Sequence, residues 1–266
     1  MDDLKISLIQ TDLSWEQTDK NLSRFDRLID TIQQPVDLII LPEMFNTGFS
    51  INPETCSETM EGKSVAFLRH KADQTNAIIV STLLIREANM FYNRLIAMYP
   101  GGHFETYDKR HLFRLSEEHA LIQAGNKKCF LKIKNWNILP LICYDLRFPV
   151  WSKNNWNNGE YEYDLLLFTA NWPASRDLVW KTLLMARAME NQAYVAGVNR
   201  IGYDGHQTWH SGDSMVIDGK GSVLFAANPG KEMVHTQHLS GTDLESFRKS
   251  FPVGMDWDQF SLLQNR

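Results

Sequence analysis

The chain has 266 residues, 43% of them hydrophobic and 22% charged, enough apolar side chain for one large core and no tract too polar to fold. A formal net charge of -5, with no Lys/Arg cluster longer than a few residues, argues against the basic face that nucleic-acid phosphates require and for a small-molecule partner. An apolar leader and a membrane-length apolar stretch are both missing, and the three cysteines, Cys56, Cys129 and Cys143, show neither disulfide nor zinc-site spacing. A soluble, cytoplasmic protein without membrane contact, cofactor or metal is expected.

Residues 4–9 alternate polar and apolar as a strand does, and Leu22, Phe25, Leu28, Ile29 and Ile32 recur at helical spacing. Residues 36–42 form a second strand, so the chain opens as a β-α-β unit with parallel strands and leaves Glu43 at a carboxyl end. Helical spacing returns at Val65, Leu68 and Ala72, followed by a strand over 77–84. Residues 91–98 and 103–108 read as strands reversing about Pro100-Gly101-Gly102, with Lys109 just beyond. The apolar run Ile138-Leu-Pro-Leu-Ile-Cys143 predicts a buried strand over 136–143 that stops at a short turn, then a short helix near Phe148. A strand over 164–169, a helix over 175–191 and strands over 194–199, 214–217 and 223–226 follow, with hairpin turns at Asp204-Gly205 and Asp218-Gly219. That is more strand than one open sheet holds comfortably, so two packed sheets with helices outside, in one α/β domain over 1–266, is the expected architecture.

Glu43, Lys109 and Cys143 each stand at the end of a strand, where ligands bind in α/β folds. Together they make an acyl-transfer set. A free thiol has a pKa near about 8.5, and Lys109 or the start of the helix after Arg147 could raise its thiolate fraction. Glu43 could take the thiol proton, pass it to a leaving amine and later activate water. His206 and His210 have a spacing that could suit a metal, but no third ligand type lies nearby.

Leu41-Pro-Glu-Met44, Asp108-Lys-Arg-His-Leu-Phe113 and Ile142-Cys-Tyr-Asp-Leu-Arg-Phe-Pro149 resemble the three signature segments of the nitrilase (carbon-nitrogen hydrolase) superfamily. Asn171-Trp-Pro173, Ala186-Arg-Ala-Met-Glu-Asn-Gln192 and Asn199-Arg-Ile-Gly202 extend the similarity over nearly the whole chain. The resemblance implies a four-layer α-β-β-α sandwich, a homodimer, and Glu43 as general base, Lys109 as oxyanion cation and Cys143 as nucleophile. It further implies the Tyr144 backbone N–H as a second oxyanion donor and Glu118, upstream of Ala124-Gly125, as a supporting carboxylate. Tyr107 to Arg114, the cysteine segment and Asn171 to Arg176 look most like the omega-amidase branch, which hydrolyses the terminal amide of 2-oxoglutaramate or 2-oxosuccinamate. Pro140-Leu141 and Val150-Trp151 depart from the wider family pattern.

Asn171 and Trp172 follow a strand and could line the pocket. Arg147 could hold a substrate carboxylate or pair with Asp145 or Glu190 as scaffold, the scaffold being preferred. Arg187 and Glu190 are expected to form a structural ion pair on an interface helix. The same catalytic residues would serve an N-carbamoyl hydrolase or a nitrilase, and a catalytically idle binding protein of this fold is the reading from another class.

Overall fold

The computed structural model describes residues 1–262, so the last four residues of the expected domain lie outside the described ones. Two six-stranded sheets stack face to face. The first runs Met233–Leu239, Leu4–Gln10, Leu38–Ile40, Ile78–Glu87, Met90–Met98, Phe104–Asp108. The second runs Val223–Ala226, Met215–Ile217, Tyr194–Asn199, Leu165–Ala170, Trp136–Ile142, Leu131–Ile133. In each sheet the three central strands are parallel and the outer ones antiparallel.

The period of two along a strand decides which face a side chain joins. Leu38, Ile40, Val80, Leu95 and Ala97 point into the core shared with the second sheet. Their neighbours Ile39, Ile79 and Ile96 turn outward and meet Phe25 and Ile29 of helix Thr18–Asp30 and Leu68 and Ala72 of helix Lys63–Thr75. On the far side, helix Asp177–Asn191 packs Trp180 and Leu184 onto the second sheet. A Cβ on Gly197 would sit 2.7 Å from Leu184, so a bare backbone there lets the helix close in. The result is the expected order of helix, sheet, sheet, helix.

The second expected strand contracts to Leu38–Ile40, because Pro42 has no N–H to extend the ladder. Ser81 Oγ caps the Pro42 carbonyl at 2.6 Å and Thr82 Oγ1 accepts from Met44 N at 2.8 Å, so the segment carrying Glu43 is held by the neighbouring strand. The strand after Ala77 runs on to Glu87 and turns back through Ala88 and Asn89, both at positive φ. Only the asparagine is a usual residue for that turn. Sequence periodicity also misses Leu131–Ile133 and the edge strand Met233–Leu239, while the expected hairpin turn at Asp204-Gly205 joins a short ribbon of Ile201–Tyr203 with Trp209–Ser211. That edge strand is half-buried and lacks a clean alternation.

Candidate active site

Strand Trp136–Ile142 ends where the backbone turns into a short 3-10 segment, Cys143–Arg147. Cys143 has φ of 39°, a left-handed conformation that costs a non-glycine residue roughly 1 kcal/mol or more and needs surrounding structure to hold it. Asp145 supplies that structure. Its fully buried carboxylate accepts from Ile142 N at 3.1 Å, the Tyr107 hydroxyl at 2.8 Å, and His111 N and Nδ1 at 3.1 and 2.8 Å. The turn at Cys143 is thereby tied to Tyr107 and His111, on either side of Lys109. The first N–H groups of a helical turn have no carbonyl behind them, which leaves Tyr144 N–H, next to the sulfur, for a ligand.

Lys109 leaves strand Phe104–Asp108 and is 1% exposed. Its Nζ donates to Glu43 Oε1 at 2.9 Å and to Glu118 Oε1 and Oε2 at 3.2 and 3.1 Å. Glu118 is further fixed by Phe113 N at 2.6 Å. Glu43 Oε2 accepts from Asn171 N at 3.0 Å. Burial alone would pull the Lys109 amine down, but Glu118 and Glu43 outweigh it and hold the ammonium above its ordinary range. Burial pushes the Glu118 carboxyl up against the pull of Lys109, since one cation balances only one of two carboxylates.

Cys143 lines the same cavity as Glu43, Lys109 and Asn171. Burial, then the Glu43 charge, push the thiol well above its ordinary value, and Lys109 only partly offsets them. The cation that could raise the thiolate fraction is present in Lys109, but burial and the Glu43 charge outweigh it and favour the protonated thiol.

The three residues share a cavity of about 560 Å³. Tyr144, Asn171 and Trp172 line it, as expected. Arg147 lines it too, stacked over the Trp172 ring at 4.9 Å, and Asp145 and Glu190 bond elsewhere, which corrects the scaffold preference. Glu190 pairs with Arg187 at 2.9 Å. Arg176, not singled out from the sequence, lines the cavity as well, over the Phe113 ring at 5.6 Å. Among the described residues, neither guanidinium has a carboxylate within ion-pair distance. His206 and His210 stand on the wall made by the ribbon, and burial lowers His210 to about 4, keeping its ring neutral. Asn93 and Asp145 were also missed. A polar side chain inside an apolar strand, as Asn93 is in Met90–Met98, was the available signal.

Residues 5–249 match the carbon-nitrogen hydrolase family model. The chain belongs to the carbon-nitrogen hydrolase family. It is 43% identical to the omega-amidase YafV of Escherichia coli K12, over 98% of this chain and all of the relative. Identity to the 2-oxoglutaramate amidase of Bacillus subtilis is 30%, covering 93% and 95% of the two chains. A carbon-nitrogen hydrolase superfamily protein of Xanthomonas campestris, solved with an arsenic adduct in its active site, superposes with a TM-score of 0.96 at 41% identity, covering 98% of this chain and all of that one. Among the described residues of this carbon-nitrogen hydrolase, no helix is long and apolar enough to cross a membrane.

Proposed function

We propose that this carbon-nitrogen hydrolase is an omega-amidase, releasing ammonia and a 2-oxo dicarboxylate from 2-oxoglutaramate or 2-oxosuccinamate. The carrying observation is a cavity lined both by a buried thiol, carboxylate and ammonium and by two guanidiniums, Arg147 and Arg176, without carboxylate partners among the described residues. Such a cavity suits an amide at one end of the substrate and an anionic head at the other. The relatives named omega-amidase and 2-oxoglutaramate amidase support the same substrate class.

In this reading Cys143 Sγ attacks the amide carbonyl as its proton passes to Glu43. The Lys109 ammonium charge and the Tyr144 N–H hold the developing oxyanion, a contact of a kind worth about 3 kcal/mol. Glu43 hands the proton to departing ammonia, leaving a thioester. A water then takes the vacated place and gives a proton to Glu43 as its oxygen attacks the thioester carbon; the C–S bond breaks, Glu43 returns the proton to the Cys143 sulfur, and the acid is released. Glu118 holds Lys109 in place, and Asn171 and Trp172 flank the substrate.

The experiment is ammonia release from 2-oxoglutaramate compared with glutamine, simple nitriles and ureido acids. Preference for the 2-oxo amide is expected, because glutamine brings an ammonium toward the two arginines. Zero or equal activity on 2-oxoglutaramate refutes the proposal, and preference for nitriles or ureido acids replaces it with a nitrilase or an N-carbamoyl hydrolase. A homodimer is proposed as well, supported by Leu178, Thr182, Met185 and Met189 along one face of helix Asp177–Asn191, with Leu178 72% and Met189 52% exposed. Three free cysteines support a reducing, cytoplasmic setting.

A further inference from the structure

Two carboxylates, Glu43 and Glu118, lie fully buried against one ammonium, Lys109, in the cavity that Cys143 also lines. The cluster therefore carries one more negative charge than its cation balances. A buried surplus of this kind is relieved by taking up a proton. A proton on Glu43 would remove the base that Cys143 needs.

Asn93 stands between the two carboxylates. It is fully buried in strand Met90–Met98, and its Nδ2 donates to Glu43 Oε1 at 2.8 Å and to Glu118 Oε1 at 3.1 Å. Its Oδ1 has no partner, so the side chain contributes here through its donors alone. The Asn93 carbonyl accepts the Lys109 backbone N–H at 3.0 Å. One residue thus grips the chain of the cation and the side chains of both anions.

We propose that Asn93 is a positioning residue that keeps Glu43 ionised as the base of Cys143, and so sets the acid limit of the enzyme's working range. This rests on the reading of Glu43 as that base. The charged and titratable groups facing Asn93 come from several segments: Glu43 after Leu38–Ile40, Lys109 after Phe104–Asp108, and Glu118 from Glu118–Leu121, with Cys143 beyond Glu43. Arg94, next in the strand, faces the other way, to Glu87 and Asp108. The remaining donors to the carboxylates are the backbone N–H groups of Phe113 and Asn171. Lys109 keeps its charge throughout the acid range, so the acid limb belongs to the two carboxylates and the Cys143 thiol as one coupled unit.

Asn93→Leu keeps the size of the side chain and removes both donors. A hydrogen bond to a charged group is strong enough to shift its titration by about one to two pH units. The loss of a bond to the ionised form moves the limb upward. The test is the rate of Cys143 alkylation by iodoacetamide, read by mass spectrometry from about pH 4 to 9, in the native protein, Asn93→Leu and Asn93→Ser. No substrate is involved, so the result does not depend on which amide is hydrolysed. An acid limb raised by about one unit or more in Asn93→Leu, with Asn93→Ser in between, supports the proposal. Slower alkylation with an unmoved limb overturns it and leaves Asn93 a packing residue. If Asn93→Leu does not fold, Asn93→Ser decides by the same criterion. A native profile without an acid limb overturns the proposal together with Glu43 as the base.

Discussion

Replacing Lys109 by methionine keeps the reach of the side chain and deletes its charge. The Nζ makes contacts of 2.9, 3.2 and 3.1 Å to two buried carboxylates, so the substitution strands both. Breaking a buried ion pair from one side costs about 3 to 5 kcal/mol, a large part of a total stability of about 5 to 15 kcal/mol. The corresponding fall in Tm is roughly 6 to 20 °C for a chain of this size. Without the cation the carboxylates bind protons more tightly folded than unfolded. A group whose folded pKa is raised stabilises at pH below its unfolded value and loses that contribution as pH rises toward its folded value. The variant should therefore be nearest to native stability at about pH 4 to 5 and fall behind toward neutrality. Its rate loses the oxyanion contact, about 100- to 1000-fold, and a protonated Glu43 removes more, so a loss of several orders of magnitude is expected. Ammonia release and calorimetry at about pH 5 and 8 read both effects. Near-native kinetics, or a Tm deficit that grows toward acid, would refute the reasoning.

Cys143→Ala should abolish turnover while leaving the fold intact, and a labelled substrate should trap an acyl adduct on Cys143 of the native enzyme; an adduct on Cys56 or Cys129 would remove Cys143 from its role. Arg147→Gln should raise KM for 2-oxoglutaramate about tenfold or more and leave a neutral short-chain amide unaffected. Equal losses on both substrates would make Arg147 a wall residue only. Asp145→Asn should lower kcat far more than it raises KM, and should cost about 1 to 3 kcal/mol of stability, because an amide cannot accept the bonds now made by both carboxylate oxygens. Unchanged kcat would show that the nucleophile turn holds its shape without Asp145. Met189→Glu should shift the protein toward monomer in size-exclusion chromatography with light scattering, and an unmoved dimer would place the interface on another face.

Glu43, Lys109 and Cys143 were legible because their signals are local. Each is a reactive residue at the end of a strand, and strand ends can be read from period-two patterning, Pro42 and the abrupt end of an apolar run. The two-sheet architecture was legible for the same reason, from strand count and helical spacing. Asn93 and Asp145 were not, because their partners lie far along the chain: 50 residues separate Asn93 from Glu43, and 38 separate Asp145 from Tyr107. Arg147 shows the same limit. Its sequence neighbours offered Asp145 as a partner, but the fold gave Asp145 to Tyr107, His111 and Ile142 and left the guanidinium in the cavity. Residue type, order and strand position thus determined by themselves which chemistry this chain carries. The tertiary structure decided its electrical state, because whether Cys143 rests as thiol or thiolate depends on burial and on how many carboxylates and cations are packed around it. Those are sums over distant segments that no local pattern contains.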